Sequence, residues 1–108
     1  MEGSATTSVE TLLEDGLILY GLGKFVQAHE KWRKAIELDP ENAGIYNNRG
    51  EIKEKAGDLE GALNDFSRAI ELDPSNPDSF DNRGRIRELL NDPDGAQEDY
   101  DKAEKIEV

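Results

Sequence analysis

The chain has 108 residues, 35% of them hydrophobic, with no cysteine, one histidine and a net charge of −12. So short a chain buries one thin core, and the lack of cysteine excludes disulfides, thiolate nucleophiles and cysteine metal sites. The negative charge opposes binding to nucleic acid or anionic lipid, where neutralisation of phosphate by Lys and Arg drives affinity.

No apolar run is long enough to span a membrane. Residues 1–8 are polar and lack the apolar or Arg-rich character of a targeting segment. The expectation is a soluble chain in a reducing compartment, the cytoplasm or an organelle interior such as the plastid stroma. Residues 1–7 are expected to be a disordered tail, and 8–108 a single domain.

Thr7 and Glu10 have the spacing of a capping box, which starts a helix near Ser8. Leu12, Leu13, Leu17, Ile18, Tyr20 and Leu22 follow at helical spacing, and Gly21 and Gly23 end the run. A second helix is predicted over Phe25–Glu37, with Ala28, Trp32, Ala35 and Ile36 on one stripe and Pro40 beyond its end. The plan then recurs. Asn42 caps a helix marked by Ile45, Tyr46, Ile52 and Ala56 and ending at Gly57. Asp58 caps the next, with Leu59, Ala62, Leu63, Phe66, Ala69 and Ile70 as its stripe and Pro74 after it. Asn76 with Pro77 opens a fifth helix carrying Phe80, Ile86, Leu89 and Leu90. Asp92 with Pro93 opens a sixth, carrying Ala96, Tyr100, Ala103 and Ile106. Six helices, no strands and short turns result.

The segment Lys34–Pro40 (KAIELDP) returns 34 residues later as Arg68–Pro74 (RAIELDP), and in degraded form at Lys102–Val108. Repeat starts at Val9, Ala43 and Pro77 align three units without gaps (9–42, 43–76 and 77–108). Gly16, Gly50 and Gly84 then coincide, as do Ala28, Ala62 and Ala96; Trp32, Phe66 and Tyr100; and Ala35, Ala69 and Ala103. Three units in register at this period resemble the tetratricopeptide repeat family from Val9 to Val108. The resemblance implies an all-α, right-handed α–α superhelix (solenoid) of three antiparallel helix-turn-helix repeats, in which small residues let helices approach and an aromatic fills the gap beside them.

Departures from the pattern carry information. The seventh place, often apolar in the family, holds Asp15, Arg49 and Arg83; the arginines are expected to pair with carboxylates of a neighbouring helix. On the last helix Gln97 and Glu104 replace Leu63 and Ile70. Polar residues there are the expectation for a terminal repeat with a solvated outer face.

Catalytic chemistry finds no footing. A lone His29 without cysteine does not make a zinc site. Asp92-Pro93-Asp94-Gly95 lacks the first ligand of an EF-hand loop. No phosphate loop or paired nucleophile and base is present. The expectation is a protein without enzymatic activity, cofactor or metal.

The resemblance implies that the first helix of each unit lines a concave groove that binds a protein or peptide segment. The groove-facing places are Glu10, Leu13, Leu17 and Tyr20 in the first unit. In the second they are Asn47, Asn48, Glu51, Glu54 and Lys55, and in the third Asp78, Asp81, Asn82, Arg85, Glu88 and Leu89. One class of the family clamps a chaperone's C-terminal carboxylate with Lys, Arg and Asn. Those places here hold Leu13, Leu17, Asn48, Asp78 and Asn82, so such a clamp is not favoured. The preferred expectation is an adaptor, scaffold or assembly factor whose partner segment is amphipathic, with apolar anchors toward the first unit. A homodimer through Leu13 and Leu17 competes with it. A co-chaperone peptide clamp and an engineered or purely structural repeat protein without a natural ligand stay as alternatives.

Overall fold

The computed structural model describes residues 8–107. Among them are six α-helices, α1 (Val9–Gly21), α2 (Phe25–Leu38), α3 (Ala43–Lys55), α4 (Leu59–Leu72), α5 (Pro77–Leu89) and α6 (Pro93–Glu107), with no strand. The all-α class is as expected, and the boundaries agree with the sequence reading to within one or two residues. Thr7 lies outside the described residues, and with it the proposed capping box and the tail over 1–7. The chain divides into two compact units, Met1–Glu41 and Asn42–Val108.

Short polar side chains start five of the six helices, all but α2, by satisfying backbone donors that have no partner in the first turn. Ser8 accepts from the Thr11 amide, Asn42 from Gly44, Asp58 from Gly61 and Asn76 from Asp78. Asp92 accepts from the Gly95 amide at 3.0 Å, as the cap-plus-proline pattern predicts. The hairpin turns share one device at the same place of each repeat. Gly23, Gly57 and Asn91 have φ of 80°, 87° and 66°. This left-handed conformation suits glycine and is tolerated best, among other residues, by asparagine and aspartate. It lets the following amides bond back to Leu19, Lys53 and Arg87 carbonyls at 2.8–2.9 Å, closing the helix ends.

In the N-terminal unit α1 packs against α2, and Leu12, Ala28, Trp32 and Ala35 are buried. The remaining apolar residues of α1 are less covered than the helical stripe suggests: Leu17, Ile18 and Leu22 are exposed, as are Phe25 and Val26 of α2. In the C-terminal unit α3 packs on α4, α4 on α5 and α5 on α6, and α3 also touches α5. Ala62, Phe66 and Ile86 form its central cluster, flanked by Leu59, Leu63 and Leu90. Gln97 and Glu104, which take the places of Leu63 and Ile70, are exposed.

Each hairpin is set by a glycine facing an aromatic ring. A Cβ built on Gly16 would lie 2.5 Å from Trp32 Nε1, one on Gly50 2.7 Å from Phe66 Cε1, and one on Gly84 2.7 Å from Tyr100 Cε1. These are distances a real Cβ does not adopt, so only glycine allows the ring to seat. Beside this contact in the C-terminal unit lies an ion pair. Arg49 donates through Nε and Nη2 to both carboxylate oxygens of Asp65 at 2.8 Å, and Lys53 Nζ lies 3.3 Å from the same group. Arg83 grips Asp99 in the same way at 3.0 and 2.8 Å, and Arg87 adds a bond of 3.0 Å. Arg83 also reaches Ser67 of α4 at 3.3 Å, joining three helices. The expected pairing of these arginines with carboxylates is thus present. Planar guanidinium forks match carboxylates and satisfy the oxygens that burial would otherwise orphan. At the corresponding places of the first repeat the charge order is reversed, with Asp15 on α1 and Lys31 on α2.

Two outcomes follow for stability. Gly50→Ala would ordinarily gain about 1 kcal/mol of helix propensity. Against the fully buried Phe66 it instead costs about 1–3 kcal/mol net by overpacking, measured as a fall in the urea midpoint at constant slope. Asp99→Ala leaves two guanidinium groups facing an emptied buried position and costs about 3–5 kcal/mol, whereas Glu71→Ala, at an exposed pair with Arg68, leaves the midpoint in place.

Candidate partner-binding faces

The sequence-predicted groove residues fall on two faces, one in each unit. On α1, Leu13 and Tyr20 are half-buried and Leu17 is 52% exposed. Tyr20 is held by aromatic neighbours: Phe25 at 4.6 Å between ring centroids, Trp32 at 5.6 Å and His29 at 6.2 Å. His29 is exposed and also sets its ring edge-on to Trp32. This cluster positions the Tyr20 ring beside the exposed Leu17, and the α1 face is accordingly apolar.

The second face is formed by α3 and α5. Asn48, Glu51, Lys55 and Arg85 are exposed, Leu89 is exposed at its edge, and Asp81 and Asn82 are half-covered. Asn47 is turned partly inward, where its Nδ2 donates to the buried Ser79 hydroxyl at 2.8 Å; its Oδ1 is buried without a protein donor. Glu51, Glu54, Lys55 and Arg85 surround a recess of 370 Å³. Two interactions fix the charges there. Arg85 donates from Nε and Nη2 to the two oxygens of Glu54, both at 2.7 Å, and from Nη2 to Asn82 Oδ1 at 3.2 Å. The hydrogen bonds from Arg85 hold the Glu54 carboxyl below its ordinary pKa, so the pair is fully charged at neutral pH. Tyr100 of α6 donates its hydroxyl to Glu88 at 2.6 Å. Its own pKa is pushed up to about 12, by burial first and by that bond second, so it stays a donor across the physiological range.

Sequence reasoning placed these residues on one face because they recur at groove places of successive repeats. It did not find the Arg85–Glu54 pair, nor Ser79 and Tyr100 as supports. Their partners lie 31, 32 and 12 residues away, and only the packing of α5 on its neighbours brings them together. Among the described residues no group of three or more His, Cys, Asp or Glu side chains is placed to hold a metal ion. No helix among them is long and apolar enough to cross a membrane.

No curated protein sequence matches the chain. Two family models do: "TPR repeat" over residues 16–57 and "Tetratricopeptide repeat" over residues 43–76. Solved structures agree. The crystal structure of MamA superposes with a TM-score of 0.75 at 28% identity, covering 91% of this chain; the chain spans 57% of that protein. The second TPR of Spaghetti (RPAP3), bound to the HSP90 peptide SRMEEVD, superposes at 0.77 with 27% identity and 92% coverage of each chain. The first TPR of the same protein, with the same peptide, superposes at 0.78 with 95% of this chain and 82% of that one covered; its 24% identity speaks to fold alone. With helical hairpins starting at Val9, Ala43 and Pro77, and the glycine–aromatic contact in each, the chain belongs to the tetratricopeptide repeat family.

Proposed function

We propose that the protein is a non-catalytic interaction module, an adaptor, scaffold or assembly factor that receives a segment of another protein on the faces of its first helices. The observation that carries this reading is the α3/α5 face. Exposed side chains from two successive repeats, Glu51, Lys55 and Arg85, converge with Glu54 on one recess, and Leu89, one turn beyond Arg85 on α5, is exposed. Hairpins braced by glycine–aromatic contacts and buried ion pairs hold that face rigid, and a preformed surface loses less entropy on binding. The similarity to the second TPR of Spaghetti, whose structure holds a peptide, supports a peptide segment as the class of partner. On α1, Leu13, Leu17 and Tyr20 offer anchors for apolar side chains, as an amphipathic segment would supply.

The test is recovery of a partner by the wild-type chain and by a variant carrying Asn48→Ala, Asn82→Ala and Arg85→Ala, with helicity checked by circular dichroism. A partner of this face drops by about tenfold or more with the triple variant; equal recovery by both proteins sinks the reading.

Self-association through the first repeat is a second reading, favoured by one observation. Leu17, Ile18, Leu22, Phe25 and Val26 are 50–84% exposed within a single hairpin, and clustered exposed apolar residues mark contact sites. Light scattering then gives a mass that rises toward the dimer with concentration, and Val26→Glu abolishes the rise. A constant monomer mass for the wild-type chain refutes this second reading.

A further inference from the structure

The charges on the α3/α5 face are not interchangeable, because one of its two cations is already occupied. The groove places of these two helices hold Glu51, Glu54, Asp78, Asp81 and Glu88 against Lys55 and Arg85. Arg85 commits its Nε and Nη2 to Glu54 at 2.7 Å, and Asn82 accepts the second Nη2 hydrogen at 3.2 Å. Three of its five N–H donors are thereby used, and the two left on Nη1 offer no bidentate edge to an incoming carboxylate. Glu51 and Asp81 engage no cation through a hydrogen bond among the described residues, and Glu88 is held in place by the Tyr100 hydroxyl. An anion approaching this face meets carboxylates that outnumber the cations and an arginine whose bidentate edge is taken. A cation meets carboxylates ready to pair.

We propose that the Glu54–Arg85 pair sets the charge selectivity of this face, so that it receives a segment bearing Lys or Arg and rejects an acidic one. The inference rests on the reading that α3 and α5 form a docking face. It separates this chain from the second TPR of Spaghetti, whose bound peptide SRMEEVD is rich in carboxylates. Two consequences follow from the geometry. Glu54→Gln removes the partner that neutralises Arg85 and leaves a guanidinium pointing into the recess, so acidic segments gain. Arg85→Gln removes the only cation contributed by α5 to the face and leaves Glu54 unpaired, so cationic segments gain. A merely structural role for the pair would weaken both ligands in both variants alike.

The experiment titrates the full chain by amide-resolved NMR with two probes: SRMEEVD, and its charge-inverted counterpart SRMKKVK with an amidated C-terminus. The wild-type chain is expected to bind the cationic peptide on α3 and α5 about tenfold more tightly than the acidic one. Glu54→Gln lowers that ratio by at least about fivefold and Arg85→Gln holds or raises it. Glu98→Gln, an equal charge change on the exposed surface of α6, leaves it unchanged. Shifts on α3 and α5 with the acidic peptide bound as tightly as the cationic one, or a ratio that moves the same way in both variants, overturn the selectivity while the docking face stands. If neither peptide perturbs α3 or α5 at about 1 mM, the selectivity and the docking face are both overturned.

Discussion

In every hairpin of this protein a glycine on the first helix meets the face or edge of an aromatic ring on the second, at a separation that no other residue permits. The close approach of the two backbones has two effects. It buries the ring completely at Trp32 and Phe66, and it fixes how closely the first helix of the hairpin lies against the second. The aromatic differs in each repeat while the glycine does not, because the ring has room to vary and the backbone gap does not. Trp32 shows the cost of that variation. Its Nε1 is buried without an acceptor, a penalty that Phe66 avoids and that Tyr100 avoids by sending its hydroxyl to Glu88.

Charge does a second job in the C-terminal unit. Asp65 and Asp99 are buried and would be unfavourable there alone, yet each is gripped by an arginine sixteen residues earlier and supported by a second cation. Such a pair adds little net stability over a well-packed apolar contact, but it admits only one register between the helices, since the fork and the carboxylate must meet in plane. Each cluster sets two cations against one carboxylate, so the strongly acidic balance of the chain lies outside these buried pairs. The surface charge that a partner would sense is set by residues such as Glu51 and Asp81, which no guanidinium grips in this way.

Much of this was legible in the residues. The N-cap Asn, Asp and Ser, the prolines and the turn glycines fall at fixed places, and they located all six helices because caps and breakers act locally, within a turn of the residues that bear them. The seventh-place arginines could be assigned to a neighbouring carboxylate for the same reason, since hairpin geometry repeats. What could not be read was anything that depends on how one repeat meets the next. Arg85 and Glu54 lie in different repeats, and whether their side chains meet is decided by a helix–helix offset that no periodicity encodes. The exposure of Leu17, Ile18 and Leu22 is similar: helical spacing marks them as one apolar stripe, but the stripe is wider than the single helix, α2, that packs against it in the N-terminal unit.

Trp32 is the only tryptophan in the chain and it lies, fully buried, in the N-terminal unit. The C-terminal unit has tyrosines at 46 and 100 and no indole. Emission excited at the red edge of the aromatic band therefore reports one unit alone, and tracking it beside backbone ellipticity distinguishes a molecule that melts in one step from one whose first hairpin opens ahead of the rest.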